Sequence, residues 1–259
     1  MSKLLSIKKV KKNYNTINGE IEAIKDISFE VNEGDFIAIV GSSGCGKSTL
    51  LSIISDLDKV TDGGIIFYKD NPIIGYMLQE DALFGHMTIY ENIILGLRIL
   101  GIDSKDNIDN AVSLLEKYDL IKFKDKYPRE LSGGMKQRVA LIRTLAIKPD
   151  LLLLDEAFSA LDFTTRLSVN DDVYKIIKGL NKTTIMVTHD LQEAIAMADY
   201  VVVLSKGPSI VKNVYKIDLD NKGLPTLNRK DNKFNYYFDL IYKDLDNIVW
   251  RTKEVFKKV

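Results

Sequence analysis

The chain has 259 residues, 46% hydrophobic and 28% charged, with lysine plus arginine equal to aspartate plus glutamate at 36 each. That length and composition suffice to bury a core and exclude disordered, collagen-like and disulfide-scaffold classes. Zero formal charge gives no global field for nucleic acid or an anionic membrane, and one cysteine with two histidines excludes an internal disulfide and a Cys-rich or structural zinc site.

The segment from Met1 to Lys9 lacks the long apolar core of a secretion signal, and no apolar run reaches the roughly 18 residues of a membrane-spanning helix. The expectation is a cytoplasmic protein that meets a membrane only through a partner.

In chain order, residues 1–40 read as strands. Ile27-Ser28-Phe29-Glu30-Val31 alternates apolar and polar, Asn32 to Asp35 is a turn, and Phe36-Ile37-Ala38-Ile39-Val40 is an unbroken apolar run. Such a run suits a strand covered on both faces. A helix is predicted from Lys47 through Ile54, and Gly63-Gly64 and Asn71-Pro72 punctuate a short strand region ending near Met77. Helical periodicity fills residues 88–148, with breaks near Gly101-Ile102-Asp103 and Tyr127-Pro128. Buried strands are predicted at Leu151 to Leu154, Ile185 to Val187 and Tyr200 to Leu204. Strands separated by helical stretches imply crossovers and a parallel sheet. A main domain over 1–230 is then followed, within 231–259, by an amphipathic helix carrying Phe234, Phe238, Ile241, Leu245 and Ile248.

Gly41-Ser42-Ser43-Gly44-Cys45-Gly46-Lys47-Ser48 satisfies G-x-x-x-x-G-K-[ST] between a buried strand and a helix, with Thr49 next in line. Its glycines let backbone N–H groups approach phosphate oxygens, and the helix end adds a positive dipole. Lys47 supplies a point charge for the β- and γ-phosphates, and Ser48 a hydroxyl for Mg²⁺. Cys45 contributes its backbone, and a thiol reagent attached there is expected to block nucleotide sterically. Leu151-Leu152-Leu153-Leu154-Asp155-Glu156 brings two carboxylates to a strand end, Asp155 for the metal and Glu156 as general base toward water. These elements define a P-loop NTPase, a wide class; that the nucleotide is ATP, bound with Mg²⁺, is what the following resemblance implies.

Leu131-Ser132-Gly133-Gly134-Met135-Lys136-Gln137-Arg138 resembles the signature of ATP-binding cassette (ABC) ATPases. The resemblance spans residues 3 to about 205. It implies an α/β fold: a P-loop NTPase core with a parallel sheet, an antiparallel β subdomain and an α-helical subdomain at about 80–148. By resemblance, Gln79 touches Mg²⁺ and the attacking water, His189 contacts the γ-phosphate, and Tyr14 stacks on adenine. Ser159-Ala160-Leu161-Asp162 matches the loop that crosses the dimer interface. Ser132, Gly133 and Gly134 would cover the γ-phosphate held by a second copy, so that a head-to-tail homodimer buries two ATP molecules.

Residues 79–93 and Leu95-Gly96-Leu97-Arg98 resemble the importer group for nitrate, sulfonates and taurine. That similarity implies integral-membrane permease subunits, an extracellular or periplasmic solute-binding protein, and a groove at Leu83, Phe84 and Met87 for the permease. His86 has no such context and is read as structural or partner-facing. The other reading left open is a soluble cassette ATPase that remodels protein or nucleic acid. A single cassette of neutral charge favours the importer and no nucleic-acid partner.

Overall fold

The computed structural model describes residues 2–17 and 19–246; Ile248 and the 247–259 portion of the expected C-terminal helix lie outside the described residues. In chain order the first elements are strands β1 (Lys3–Thr16), β2 (Gly19–Asn32) and β3 (Phe36–Val40), helix α1 (Lys47–Ile54), and strands β4 (Asp62–Phe67) and β5 (Ile74–Met77). Helices α2 (Ile89–Ile99), α3 (Lys105–Lys117) and α4 (Gly133–Ala146) follow, then β6 (Leu151–Asp155), α5 (Phe163–Gly179) and β7 (Thr183–Val187). The chain continues with α6 (Leu191–Met197), β8 (Tyr200–Leu204), β9 (Ser209–Lys216), α7 (Pro225–Asn228) and α8 (Phe234–Asp246). They fall into two units, one of Met1–Asp70 with Thr183–Val259 and one of Asn71–Lys182.

The first unit orders its strands β4-β1-β2-β9-β8-β3-β7. Its outer part is antiparallel, β1 lying between β2 and β4. Its inner part is parallel, with Ile39 opposite Val187 and Val40 opposite Val203. Every residue of β3 and β7 is buried, β3 as its unbroken apolar run requires and β7 with Thr183 and Thr184 included. The sequence reading missed β9. Its Ser209-Ile210-Val211-Lys212-Asn213-Val214-Tyr215-Lys216 is only partly buried and lacks a strict apolar–polar alternation, yet it pairs antiparallel with β8 and parallel with β2. Helix α8 buries Phe234 and Ile241 and leaves Tyr236 and Tyr242 exposed. Asp244 on its last turn accepts from Tyr215 Oη at 2.6 Å, fixing the helix to β9.

The second unit pairs β5 with β6 in parallel, Met77 opposite Leu154. Its helices α2, α3 and α4 meet in a core of Ile89, Ile93, Ile94, Leu97, Leu115, Val139 and Ile142. Fully burying each such side chain contributes about 1.5–3 kcal/mol. Thr88 opens α2 with a reciprocal cap: its hydroxyl accepts from Glu91 N, and Glu91 Oε2 accepts from Thr88 N at 2.7 Å. Helix α5 also escaped the sequence reading, because Asn170, Asp171, Asp172 and several β-branched residues disguise its period. Burial of Val169, Val173, Ile176 and Ile177 holds it instead.

Asn92 is wholly buried, accepts from Phe84 N at 2.8 Å, and donates to Phe84 O, Met87 O and Thr88 O. Replacing Asn92 with Ala strands those backbone groups, so it should cost about 2–4 kcal/mol, read as a lower urea midpoint at unchanged slope.

Candidate nucleotide site

In the first unit the phosphate loop leaves the buried end of β3 and turns into α1 within the six residues Gly41 to Gly46. Gly44 and Gly46 take φ of +73° and +95°. Glycine is demanded at Gly46, where a Cβ would also stand 3.2 Å from Ala23 O and from Ile24 Cγ1. Gly46 is the N-cap of α1 and offers no side-chain cap, so the first-turn amides of Lys47, Ser48 and Thr49 have no capping hydroxyl or carboxylate before them. Lys47 is only 6% exposed, and its ammonium donates to Gly41 O at 3.0 Å and Ser42 O at 3.1 Å. The loop thus fixes its cation against its own carbonyls, while the Ser42 hydroxyl is buried without a hydrogen-bond partner. Ser43 and Gly44 lie on the loop's exposed side.

Cys45 corrects one expectation. Its thiol is fully buried, and burial pushes its pKa up against the lowering effect of Lys47. A protonated, buried thiol is protected from reagents in the folded loop.

His189 follows β7, the parallel neighbour of β3, so it emerges at the same strand end as the phosphate loop. Thr188 N donates back to Ile39 O at 3.3 Å. The Thr188 hydroxyl donates to the buried carboxylate of Glu193 at 2.6 Å and accepts from Asp190 N at 3.0 Å. Asp190 caps α6 by accepting from Glu193 N. These bonds hold the backbone on both sides of His189.

Tyr14, on β1, is 38% exposed, and its hydroxyl donates to Asp58 Oδ2 at 2.8 Å. Partial burial raises its phenol pKa, a hydrogen bond with the Thr49 side chain opposing that rise. That bond puts Tyr14 beside the first turn of α1.

In the second unit, Asp155 and Glu156 end β6 beside β5, the strand that leads to Gln79. Asp155 is 9% exposed and accepts from Tyr76 Oη at 3.1 Å. Glu156 sits at φ +46°, a left-handed conformation costly for a residue with a Cβ, and its carbonyl accepts from Ser159 N. Gln79 Nε2 reaches Ser159 Oγ at 3.4 Å, leaving the amide oxygen as its acceptor. Within this unit the amide oxygen of Gln79 and the carboxylate of Asp155 are hard oxygen donors of the kind Mg²⁺ takes, as is the Ser48 hydroxyl in the first unit.

Ser132 caps α4 by accepting from Met135 N, so Gly133 and Gly134 form its first turn. A Cβ on Gly133 would lie 3.2 Å from Leu161 Cδ2, and one on Gly134 3.0 Å from Thr165 Cγ2. The signature glycines are therefore the small residues that let α4 approach α5 and the segment before it. Asp162 caps α5 by accepting from Thr165 N at 3.0 Å and from Thr164 Oγ1 at 2.7 Å, and these bonds hold its carboxyl far below the usual range. Arg166 donates to Ser159 O and Leu161 O, fixing the same segment.

Sequence reasoning passed over Tyr76, Glu193 and Arg143. Arg143 donates to Ala82 O at 2.7 Å and Asp81 O at 3.0 Å, tying α4 to the loop after Gln79. Burial lowers its guanidinium pKa. Arginine in the last turn of a helix gave no signal of that reach. In the expected permease groove, Phe84 is exposed and stacks edge-on with His86 at 6.0 Å, whereas Leu83 and Met87 are half-buried.

Residues 24–159 match the family model described as ABC transporter. The chain is 42% identical over 250 residues to the uncharacterized ABC transporter ATP-binding protein YtlC of Bacillus subtilis (strain 168), covering 94% of this chain and 96% of that one. It is 40% identical over 208 residues to the nitrate import ATP-binding protein NrtD of Synechocystis sp., covering 78% and 77%. Among solved structures, the dimeric post-hydrolysis state of the ATP-binding cassette MJ0796 bound to ADP and Pi is similar at TM-score 0.70 and 31% identity, over 83% of this chain and 99% of that one. With its phosphate loop, acidic strand and signature helix in place, the chain belongs to the ABC transporter ATP-binding family and is an ATPase.

Proposed function

We propose that this ATPase is the energy-coupling subunit of an importer for a small anionic or organic solute of the nitrate, sulfonate or taurine kind. The observation that carries the nucleotide chemistry is the phosphate loop itself. A buried cation held by Gly41 O and Ser42 O stands at a helix end whose first-turn amides have no capping side chain. Identity to a nitrate import protein over most of both chains supports the importer reading. Neutral charge disfavours nucleic acid as a partner.

In this reading Lys47 and the amides from Gly44 to Thr49 bind the β- and γ-phosphates, and Tyr14 receives the adenine. His189, fixed by its Thr188 and Asp190 neighbours, contacts the γ-phosphate. Glu156 accepts a proton from the attacking water, and Gln79 orients that water. Ser48, Gln79 and Asp155 would hold Mg²⁺, which when bound supplies positive charge to the triphosphate. Ser132, Gly133 and Gly134 of a second copy close over the γ-phosphate, with Asp162 in the segment between the copies. The helical part at about 80–148 meets integral-membrane permease subunits through the surface around Phe84. That holds the protein on the cytoplasmic face, with a solute-binding protein outside. The amphipathic helix, described over Phe234–Asp246, packs on the main domain.

Glu156→Gln should bind ATP normally yet lose turnover by at least about 100-fold, and should give an ATP-dependent dimer by light scattering; near-normal turnover refutes the base. Lys47→Ala should weaken ATP binding by about tenfold or more in equilibrium titration. Ser132→Arg should leave binding by one chain intact and stop turnover, whereas full activity of a strict monomer would sink the two-copy scheme. The importer reading is checked by detergent purification: an integral-membrane protein should co-purify, and stable association with ribosomes or DNA instead would overturn it.

A further inference from the structure

Three side chains near the phosphate loop are joined more tightly than a surface needs. Lys12, on β1 between β2 and β4, is only 8% exposed. Its ammonium donates to Asp58 Oδ1 at 2.5 Å and to Lys59 O at 2.7 Å, and lies 4.7 Å from the centre of the Tyr14 ring. The other oxygen of Asp58 accepts the Tyr14 hydroxyl at 2.8 Å. One carboxylate thus holds the cation that covers one face of the ring and the hydroxyl at its tip. Lys12 and the Tyr14 hydroxyl, in that order, pull the Asp58 carboxyl below its usual range.

Asp58 is itself anchored. Asp58 N donates to Ser52 O at 3.1 Å and Leu57 N to the same oxygen at 2.9 Å, so its turn is bound to the last part of α1. Helix α1 begins with Lys47 and Ser48. A single helix therefore carries the phosphate contacts at its start and, through Asp58, the orientation of Tyr14 near its end. Two strand residues apart, Lys12 and Tyr14 project toward the same side of β1. The ammonium covers one face of the ring, and the ring remains 38% exposed. A flat base stacking on the remaining face would complete a cation–ring–base stack, in which the ring needs no ordering on binding.

We infer that Lys12 and Asp58 are positioning residues that hold Tyr14 as a preformed platform for the purine base of the nucleotide. This rests on the reading of Tyr14 as the base-stacking residue. The clamp acts on the base alone, because neither Lys12 nor Asp58 is part of the phosphate loop.

The test uses the full chain and two probes, ATP and inorganic tripolyphosphate, in equilibrium titrations. Lys12→Met keeps the aliphatic stem under the ring, and Asp58→Asn keeps the shape of the carboxylate. Each should weaken ATP by about 5–20-fold and leave tripolyphosphate within about twofold. In a Tyr14→Ala background neither substitution should weaken ATP further, a non-additivity that marks one shared element. Tyr14→Phe, which removes only the hydroxyl tether, should make the Asp58→Asn effect smaller.

Equal loss of ATP and tripolyphosphate would mean that the cluster merely stabilises the loop, and would overturn the inference. Wild-type ATP affinity in Lys12→Met and Asp58→Asn, with Tyr14→Ala still weakened, would overturn the clamp while sparing Tyr14. Unchanged ATP affinity in Tyr14→Ala would remove the base-stacking reading and the clamp together. Thermal midpoints of the variants separate these outcomes from failure to fold.

Discussion

Everything about the nucleotide end of the first unit follows from one constraint: a fully buried strand must become a helix without exposing or orphaning its backbone. Strand β3 has neighbours on both edges and no exposed residue, so the chain leaving Val40 cannot wander. It turns through Gly44 and Gly46, both at positive φ, and starts α1 at Lys47. A side chain at Gly46 would press on Ala23 O and Ile24, so the turn also locks the loop against β2. Three consequences come together. The first turn of α1 begins without a side-chain cap, the Lys47 cation is held by two loop carbonyls, and the helix dipole ends at the same place. An anion with several oxygens is the natural complement of that arrangement.

In the second unit the constraint is different, because two carboxylates follow one another at the end of a buried strand. Asp155 receives the Tyr76 hydroxyl, which satisfies one of its lone pairs. Glu156, one residue on, leaves the strand in a left-handed conformation, which breaks the alternation of β6. Such strain persists only where the surroundings fix it, and here Ser159 N, the Arg166 guanidinium and the Asp162 cap fix the segment that follows. The glycines after Ser132 serve a second purpose in the same region. They let α4 pack closely on Leu161 and Thr165, so the signature turn and the segment after Glu156 share one rigid support.

The sequence was most legible where one physical demand acts on consecutive residues. The unbroken apolar runs of β3, β6, β7 and β8 announce strands covered on both faces, and the glycine spacing of 41–46 announces a turn that phosphate can approach. The amphipathic period of α8 is visible because Phe234 and Ile241 are buried while Tyr236 is not. It was least legible where tertiary contact overrides local preference. β9 is only partly buried and shows neither an unbroken apolar run nor a strict alternation, and α5 is held by the packing of Val169 and Val173 against a poor helical composition. The supports of the site were hidden for a related reason. Arg143 and Ala82 are 61 residues apart, as Lys12 and Asp58 are 46 apart, and nothing in a linear pattern pairs them. Cys45 was read as contributing its backbone to the loop, and the loop does pack its thiol inward.

The two long-range pairs of the first unit show why a short helix can organise a large ligand. α1 has eight residues, about 12 Å from end to end at the usual rise. Its start is fixed to β3 through the glycine turn, and its end is fixed to β1 through Asp58, Lys12 and the Thr61–Lys11 backbone bond. Both attachments are to strands of one sheet, so neither end can shift without breaking a ladder or a buried ion pair. Breaking the pair would leave Lys12 buried beside an aromatic ring without its counter-charge, which costs far more than an exposed pair gains. The helix is thereby joined at its start to the loop that carries Lys47 and, through Asp58 beyond its end, to the strand that carries Tyr14.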